Sequence, residues 1–542
     1  MKRYIYIIMA ALTLGSCVRD LDTLPLNRTE PISEYVYGDD RDAYISGLAK
    51  LYFQFVSNDL TDLQSMDGGA SEIIRAYWSV QETTADAAKC SWENDAWVRA
   101  LNTNTWNDAQ NDAVYAVYVR TLQGISYVNE YLRQTTPAKL KDRGVPEDLA
   151  AEIRGFRAEA RFIRAYLYWI AIDCFGSVPF TTENSPFGGT YYPEQASRTA
   201  IFDYCISELG DLVSDDSPMP EPRSLYPRAD KGSAAGLLAR MYLNSKVYTG
   251  IDRSAQTKAV CEDIFAMGYA LCPDYAALFR GDNGTNPLAR GEMLWAVDYD
   301  NSKTQSYGGS SYLLAATLAS TDISDQSRPN GQRNGWAGLR VPYEYVDRYF
   351  GVSGQDYRTG AYTVSDKRGE VFYIKGRQES MEGALYSFMN GWSCLKFNNI
   401  PFGETDEEYL PVSAVKDFAD VDFPMIRLAE IYLIYAEACM NLGDYTPALP
   451  KLAELSARAG TAPPEEVTTD FLIAERAREL MWEGHRRTDL IRYGIYHTDA
   501  YLWPYKGGEE FAGQAFPQYK CLFPLPPTEL AANPRLTQNP GY

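Results

Sequence analysis

Arg157-Ala158-Glu159-Ala160-Arg161-Phe162-Ile163-Arg164-Ala165-Tyr166 is the stretch from which the rest of this 542-residue chain is best read. Phe156, Ala160, Ile163, Leu167, Ile170 and Cys174 recur every three or four residues, which predicts one apolar stripe on a helix over residues 150–173. Arg154, Arg157, Arg161 and Arg164 form a flanking stripe. Gly176 and Pro179 close the element, since neither continues a helix well. The same periodicity predicts a helix over residues 425–442, through Ile426, Ala429, Ile431, Ile434, Tyr435 and Ala438, closed by Gly443. Thr446 is placed to cap a following helix, with Pro447 and Pro450 in a first turn that tolerates them. Residues 111–133 with 150–173, and 231–245 with 255–267, read as further helical pairs. The expected fold is mainly α. Divergent tetratricopeptide-type hairpins form the scaffold, with long irregular loops and a few short strands between them.

Outside that scaffold, the N-terminus carries its own signal. Lys2 and Arg3 precede an apolar run over residues 4–14, then Leu14-Gly15-Ser16-Cys17. A basic start, a short apolar stretch and small residues read as an export signal over residues 1–16, too short to span a bilayer. The cysteine after Leu-Gly-Ser resembles a bacterial lipobox, which implies lipidation of Cys17 and a tether over residues 17–30. Early acids Asp20 and Asp22 resemble those of lipoproteins exported to a cell surface.

The whole chain holds 51 basic and 72 acidic residues, a formal net charge of −21. Such a surface repels nucleic acid and anionic lipid headgroups, so the membrane is expected to be met only through the anchor. Nine cysteines leave eight after Cys17, an even number that permits disulfides in an exported chain but is not needed to staple a chain this long. With no C-x-x-C pair and only His485 and His497, a zinc site is not expected. Asp282 and Asn283, or Asp298, Asp300 and Asn301, offer oxygens to calcium, though without the spacing of an EF-hand.

Several blocks together resemble the SusD/RagB family of outer-membrane nutrient-binding lipoproteins. They are the quoted helix running on to Phe175-Gly176-Ser177-Val178-Pro179, the run from Met425-Ile426-Arg427 to Ala436-Glu437-Ala438, and Glu475-Arg476-Ala477-Arg478-Glu479-Leu480 continuing through Glu483-Gly484-His485-Arg486-Arg487 to Tyr493-Gly494. The last is the tail Phe523-Pro524-Leu525-Pro526, ending in Gln538-Asn539-Pro540-Gly541-Tyr542. The resemblance implies an N-terminal helical region over residues 31–270 and a C-terminal region with ligand loops over 271–542. It implies a non-enzymatic, cell-surface glycan binder paired with a SusC-like TonB-dependent transporter, needing no cofactor. The matched blocks are scaffold; their Arg and Glu residues are expected to be packing ion pairs.

The ligand is then left to the loops. A sugar ring presents C–H faces and hydroxyl rims, so its site wants flat aromatic rings and planar polar groups. Four of the ten tryptophans, Trp78, Trp92, Trp97 and Trp106, fall within 29 residues, with Asp67 and Arg75 just before them and Asn94 among them. A second cluster joins Tyr299, Tyr307, Tyr312 and Trp336 to Arg340 in a Gly/Ser-rich stretch. The expected contacts are Trp92, Trp97, Trp336, Tyr299, Tyr307, Trp78, Asp67, Arg75, Asn94 and Arg340. The competing use for each tryptophan is to pin a loop to the core, and Trp295, Trp169 and Trp482 are read that way. Two other functions stay open: a glycoside hydrolase using two carboxylates, and a binder of peptide or another non-carbohydrate nutrient.

Overall fold

The computed structural model describes residues 36–58, 69–189, 191–324, 326–383, 385, 387–409 and 416–542. The expected signal, the lipidation site Cys17, the tether and Asp67 lie outside the described residues. The fold is mainly helical, as expected. Its principal helices are α1 (Arg41–Phe53), α2 (Asp112–Gln134), α3 (Glu147–Phe175), α4 (Arg198–Val213), α5 (Lys231–Leu243), α6 (Ser254–Ala266), α7 (Leu428–Asn441), α8 (Leu449–Ala459) and α9 (Thr469–Glu479). α2 packs on α3, α3 on α4, α5 on α4 and α6, and α6 on α7.

Local chemistry sets the ends of these helices. The Asn111 side chain accepts the Val114 N–H at the start of α2, and Asp230 and Ser233 form a reciprocal capping box on α5. Glu147 and Asp148 occupy the first turn of α3, where the helix dipole favours acids; Gly176, at φ 72°, closes it. The arginine stripe of α3 works in packing. Arg157 donates to Leu132 O and Thr135 Oγ1 at the end of α2, while Arg161 and Arg164 both reach Glu208 of α4.

Two expectations are corrected. Residues 425–427 are not helical: they belong to strand Phe423–Arg427, paired antiparallel with Met293–Val297. Ile426 and Arg427 pair with Trp295 and Met293 in extended backbone, so α7 starts only at Leu428. Thr446 does not cap α8 either. It opens a single 3-10 turn, Thr446–Ala448, and Pro450 sits in the first turn of α8, where a missing N–H costs nothing.

Buried charge ties this scaffold together. Arg427 pairs with Glu292, Glu479 and Glu483; Arg368 with Asp366, Glu475 and Glu479; Arg458 with Glu292 and Glu479. Burial alone would raise the Glu479 carboxyl, but Arg458, Arg427 and Arg368 hold it well below the usual range. Removing one member of such a set strands a buried charge at about 3–5 kcal/mol. Cys90, Cys174, Cys205, Cys261, Cys272, Cys394 and Cys439 are buried free thiols and Cys521 a half-buried one, small hydrophobes rather than staples. No helix among the described residues is long and apolar enough to cross a membrane.

Candidate functional site

A short ladder assembles the candidate face. Strands β1 (Lys89–Cys90) and β2 (Leu339–Arg340) pair antiparallel, Lys89 with Arg340 and Cys90 with Leu339, and the Ser91 N–H continues the ladder to Gly338 O. The antiparallel register carries Trp92, just after β1, toward the same edge as Trp336, just before β2. Gly338 makes the approach possible. A β-carbon there would sit 2.6 Å from Cε2 of Trp92, and its φ of +108° is one side chains rarely adopt. Trp92 is half-buried, 6.2 Å from the Tyr312 ring, and the Arg75 guanidinium stacks 3.9 Å from Tyr312.

Trp336 is likewise half-buried, its N–H fixed on Ala315 O at 2.7 Å. The Tyr307 ring lies 4.9 Å away and meets Phe418 at 4.8 Å. Tyr307 is 37% exposed, enough to offer a ring face. The loop beneath is fixed from both sides: Arg75 Nη1 donates to Tyr307 O at 3.1 Å, and a β-carbon at Gly69 would collide with that carbonyl at 2.1 Å. Phe418 is held by its N–H on Asn301 Oδ1 and by Ala419 N–H on Ser311 Oγ. Three chain stretches far apart in sequence thus meet in one row of rings backed by main-chain hydrogen bonds. Such a row can stack on the C–H faces of sugar rings.

Residues 357–542 match the family model described as the SusD family, and residues 59–243 match one described as starch-binding associating with outer membrane. Starch-binding protein SusD of Bacteroides thetaiotaomicron is 30% identical over 99% of this chain and 98% of its own. The chain belongs to the SusD family. Among solved structures, surface glycan-binding protein A of B. thetaiotaomicron in complex with laminarihexaose shares the fold, with a TM-score of 0.67 at 18% identity over 92% of this chain and 99% of that one. A SusD superfamily protein from Parabacteroides distasonis gives 0.67 at 20% identity over 93% and 99%.

Within this SusD-family chain the expected contacts separate by burial. Trp336 and Tyr307 reach the surface in the row just described, Trp92 is half-buried between Tyr312 and Gly338, two residues from Trp336, and Asn94 is exposed. Arg75 is buried and supports the row from below, through Tyr312 and the Tyr307 carbonyl. Trp97 is half-buried on helix Ala96–Asn102, its indole nitrogen enclosed. Three others are core residues, where no ligand can stack. Trp78 is 1% exposed and donates its indole N–H to Trp482 O at 2.9 Å. Tyr299 is buried with its hydroxyl donating to Glu72. Arg340 is fully buried, spending its guanidinium on the carbonyls of Thr317, Leu339 and Phe388; burial, then nearby Arg377, pull it down to about 9.

Phe418 was not singled out by the sequence, because one phenylalanine in a polar irregular stretch carries no density signal. The calcium candidates Asp282, Asn283 and Asp300 hydrogen-bond to other protein groups. Asn283 is buried with its amide on Leu278 O and Asp422 O, Asp282 accepts the Phe402 N–H, and Asp300 accepts from Ser302 and Lys303. Among the described residues no group of three or more His, Cys, Asp or Glu side chains is placed to hold a metal. His485 is a packing residue: burial first, against the pull of Glu430, pushes it down to about 4.

Proposed function

We propose that the protein is a non-catalytic, cell-surface lipoprotein that captures a polysaccharide or oligosaccharide on the Trp92, Trp336, Tyr307 and Phe418 row. The bound glycan would then pass to a SusC-like TonB-dependent transporter. The observation that carries this reading is the row itself: partly exposed rings, converging from distant loops, pinned by hydrogen bonds and glycine contacts rather than by a closed core. Kinship supports the ligand class, since the relatives named above are a starch-binding protein and a surface glycan-binding protein seen with laminarihexaose. The lipobox-like Leu14-Gly15-Ser16-Cys17 supports the anchored location, and the family resemblance supports the transporter.

Affinity electrophoresis against starch, laminarin and unrelated polysaccharides tests the reading, with product analysis alongside. Retardation by at least one glycan without chain cleavage is expected. Cleavage above a boiled control would point to a hydrolase, and peptide binding with no glycan shift would point to the non-carbohydrate alternative.

A further inference from the structure

A cleft of about 760 Å³ lies directly beyond Trp92, and the aromatic row makes no use of it. Glu93 and Asn94, the next two residues of the chain, form one wall, so row and cleft are within about 7 Å along the backbone. Glu382 comes from a second stretch, and Glu509, Glu510 and Phe511 from a third. The volume falls within the roughly 300–1,000 Å³ of small-molecule sites. Phe511 is half-buried and set edge-on to Tyr505 at 5.8 Å, and Tyr505 is itself fixed by its hydroxyl on Met381 O. The cleft therefore has a steadied aromatic wall as well as acids.

Its charge is one-sided. Four carboxylates line it against a single guanidinium, that of Arg99, and Arg99 already donates to the Glu93 carbonyl at 2.8 Å. Glu93 and Glu509 sense one another across the space: after burial, and against Asn102 and Arg99, Glu509 adds to the forces that raise the Glu93 carboxyl. Glu382, Glu509 and Glu510 are exposed and free to turn toward a ligand.

We infer that this cleft is a second subsite, continuing the aromatic row, that takes uncharged sugar units and excludes acidic glycans. The inference rests on the glycan-binding reading and adds a substrate class to it. Ionised carboxylates only accept hydrogen bonds, and they accept strongly from hydroxyls, the donors that a neutral sugar carries around its rim. The ionised carboxylate of a uronate, or a sulfate ester, replaces one of those donors by a group that only accepts. It would meet four like charges in the cleft, on a chain whose formal net charge is −21. Phe511 supplies the flat face against which a ring can lie.

The test compares starch with carboxymethyl starch, and laminarin with sulfated laminarin, by affinity electrophoresis. It uses the wild type, a Glu382→Gln/Glu509→Gln/Glu510→Gln variant, and Phe511→Ala, each checked for an unchanged melting temperature. The wild type should hold a neutral polymer at least about tenfold more tightly than its charged derivative. The gap should shrink to about threefold in the triple variant, and also in 1 M salt, where the screening length is about 3 Å. Phe511→Ala should weaken binding of the neutral polymer while a trisaccharide of the same sugar binds as before. A wild type that holds the charged derivative as well as the neutral one, or a preference untouched by the glutamines, overturns the subsite and leaves glycan capture standing. A wild type held by no glycan overturns both.

Discussion

Trp78 and Trp336 show how one side chain serves opposite ends depending on where its backbone runs. Trp78 ends the fully buried helix Ile73–Trp78, stands edge-on to Trp482 at 5.2 Å and gives its N–H to a carbonyl. Trp336 sits half-exposed against Tyr307. Trp78→Ala should therefore cost about 3–5 kcal/mol of stability in denaturant unfolding, and Trp336→Ala about 1 kcal/mol. Equal losses in the two variants would contradict the assignment. The count of tryptophans drew attention to residues 78–106 but could not rank them, because density says nothing of depth. The better clue was local. Ile73-Ile74-Arg75-Ala76-Tyr77-Trp78 is almost continuously apolar, the mark of a helix buried on all sides, whereas Gly335 and Gly338 flank Trp336.

At the scale of elements, the helices were legible because their apolar spacing is a local property. What was not legible is which segments meet. The two-residue ladder of β1 and β2 is too short for any periodicity, yet its register brings Trp92 beside Gly338. The π-helical turn Ser79–Thr83 that follows Trp78 is similar: Glu82 Oε1 accepts the N–H groups of Gly484 and His485, 402 and 403 residues away, while Oε2 is buried without a partner. Burial pushes this carboxyl up to about 7, with the two backbone donors and Arg486 pulling the other way. A carboxyl whose folded pKa lies above its unfolded value contributes stability that is complete below the unfolded pKa, about 4.3, and lost as pH rises through 7. Glu82→Gln has no such proton to lose. Its melting temperature relative to the wild type should therefore climb between pH 5 and pH 8, with Glu72 and Asp422, also raised to about 7 by burial, common to both proteins. A difference that stays flat with pH would refute the buried, raised carboxyl.

For the whole molecule, one buried apolar cluster runs from Tyr44 to Leu525, so the loops that carry the candidate face rest on a continuous core. The family blocks lie in that core, which is why the fold could be recognised from them and the ligand could not. The rings that meet at the surface come from Tyr307, Trp336 and Phe418, with Trp92 brought against Gly338 beside them, and only tertiary structure joins positions so far apart. The proposed anchor is separable from this body. Cys17→Ala should leave glycan affinity unchanged and move the protein from the membrane fraction to the soluble one; retention of the variant would exclude lipid attachment at that residue. Calorimetric titration of the wild type, Trp92→Ala and Trp336→Ala with the glycan selected by electrophoresis bears most directly on the central claim. Each substitution should weaken binding by about 1–3 kcal/mol, by analogy with bases stacked on aromatic platforms, with the fold intact. Unchanged affinity in both variants would place the binding site elsewhere on the molecule.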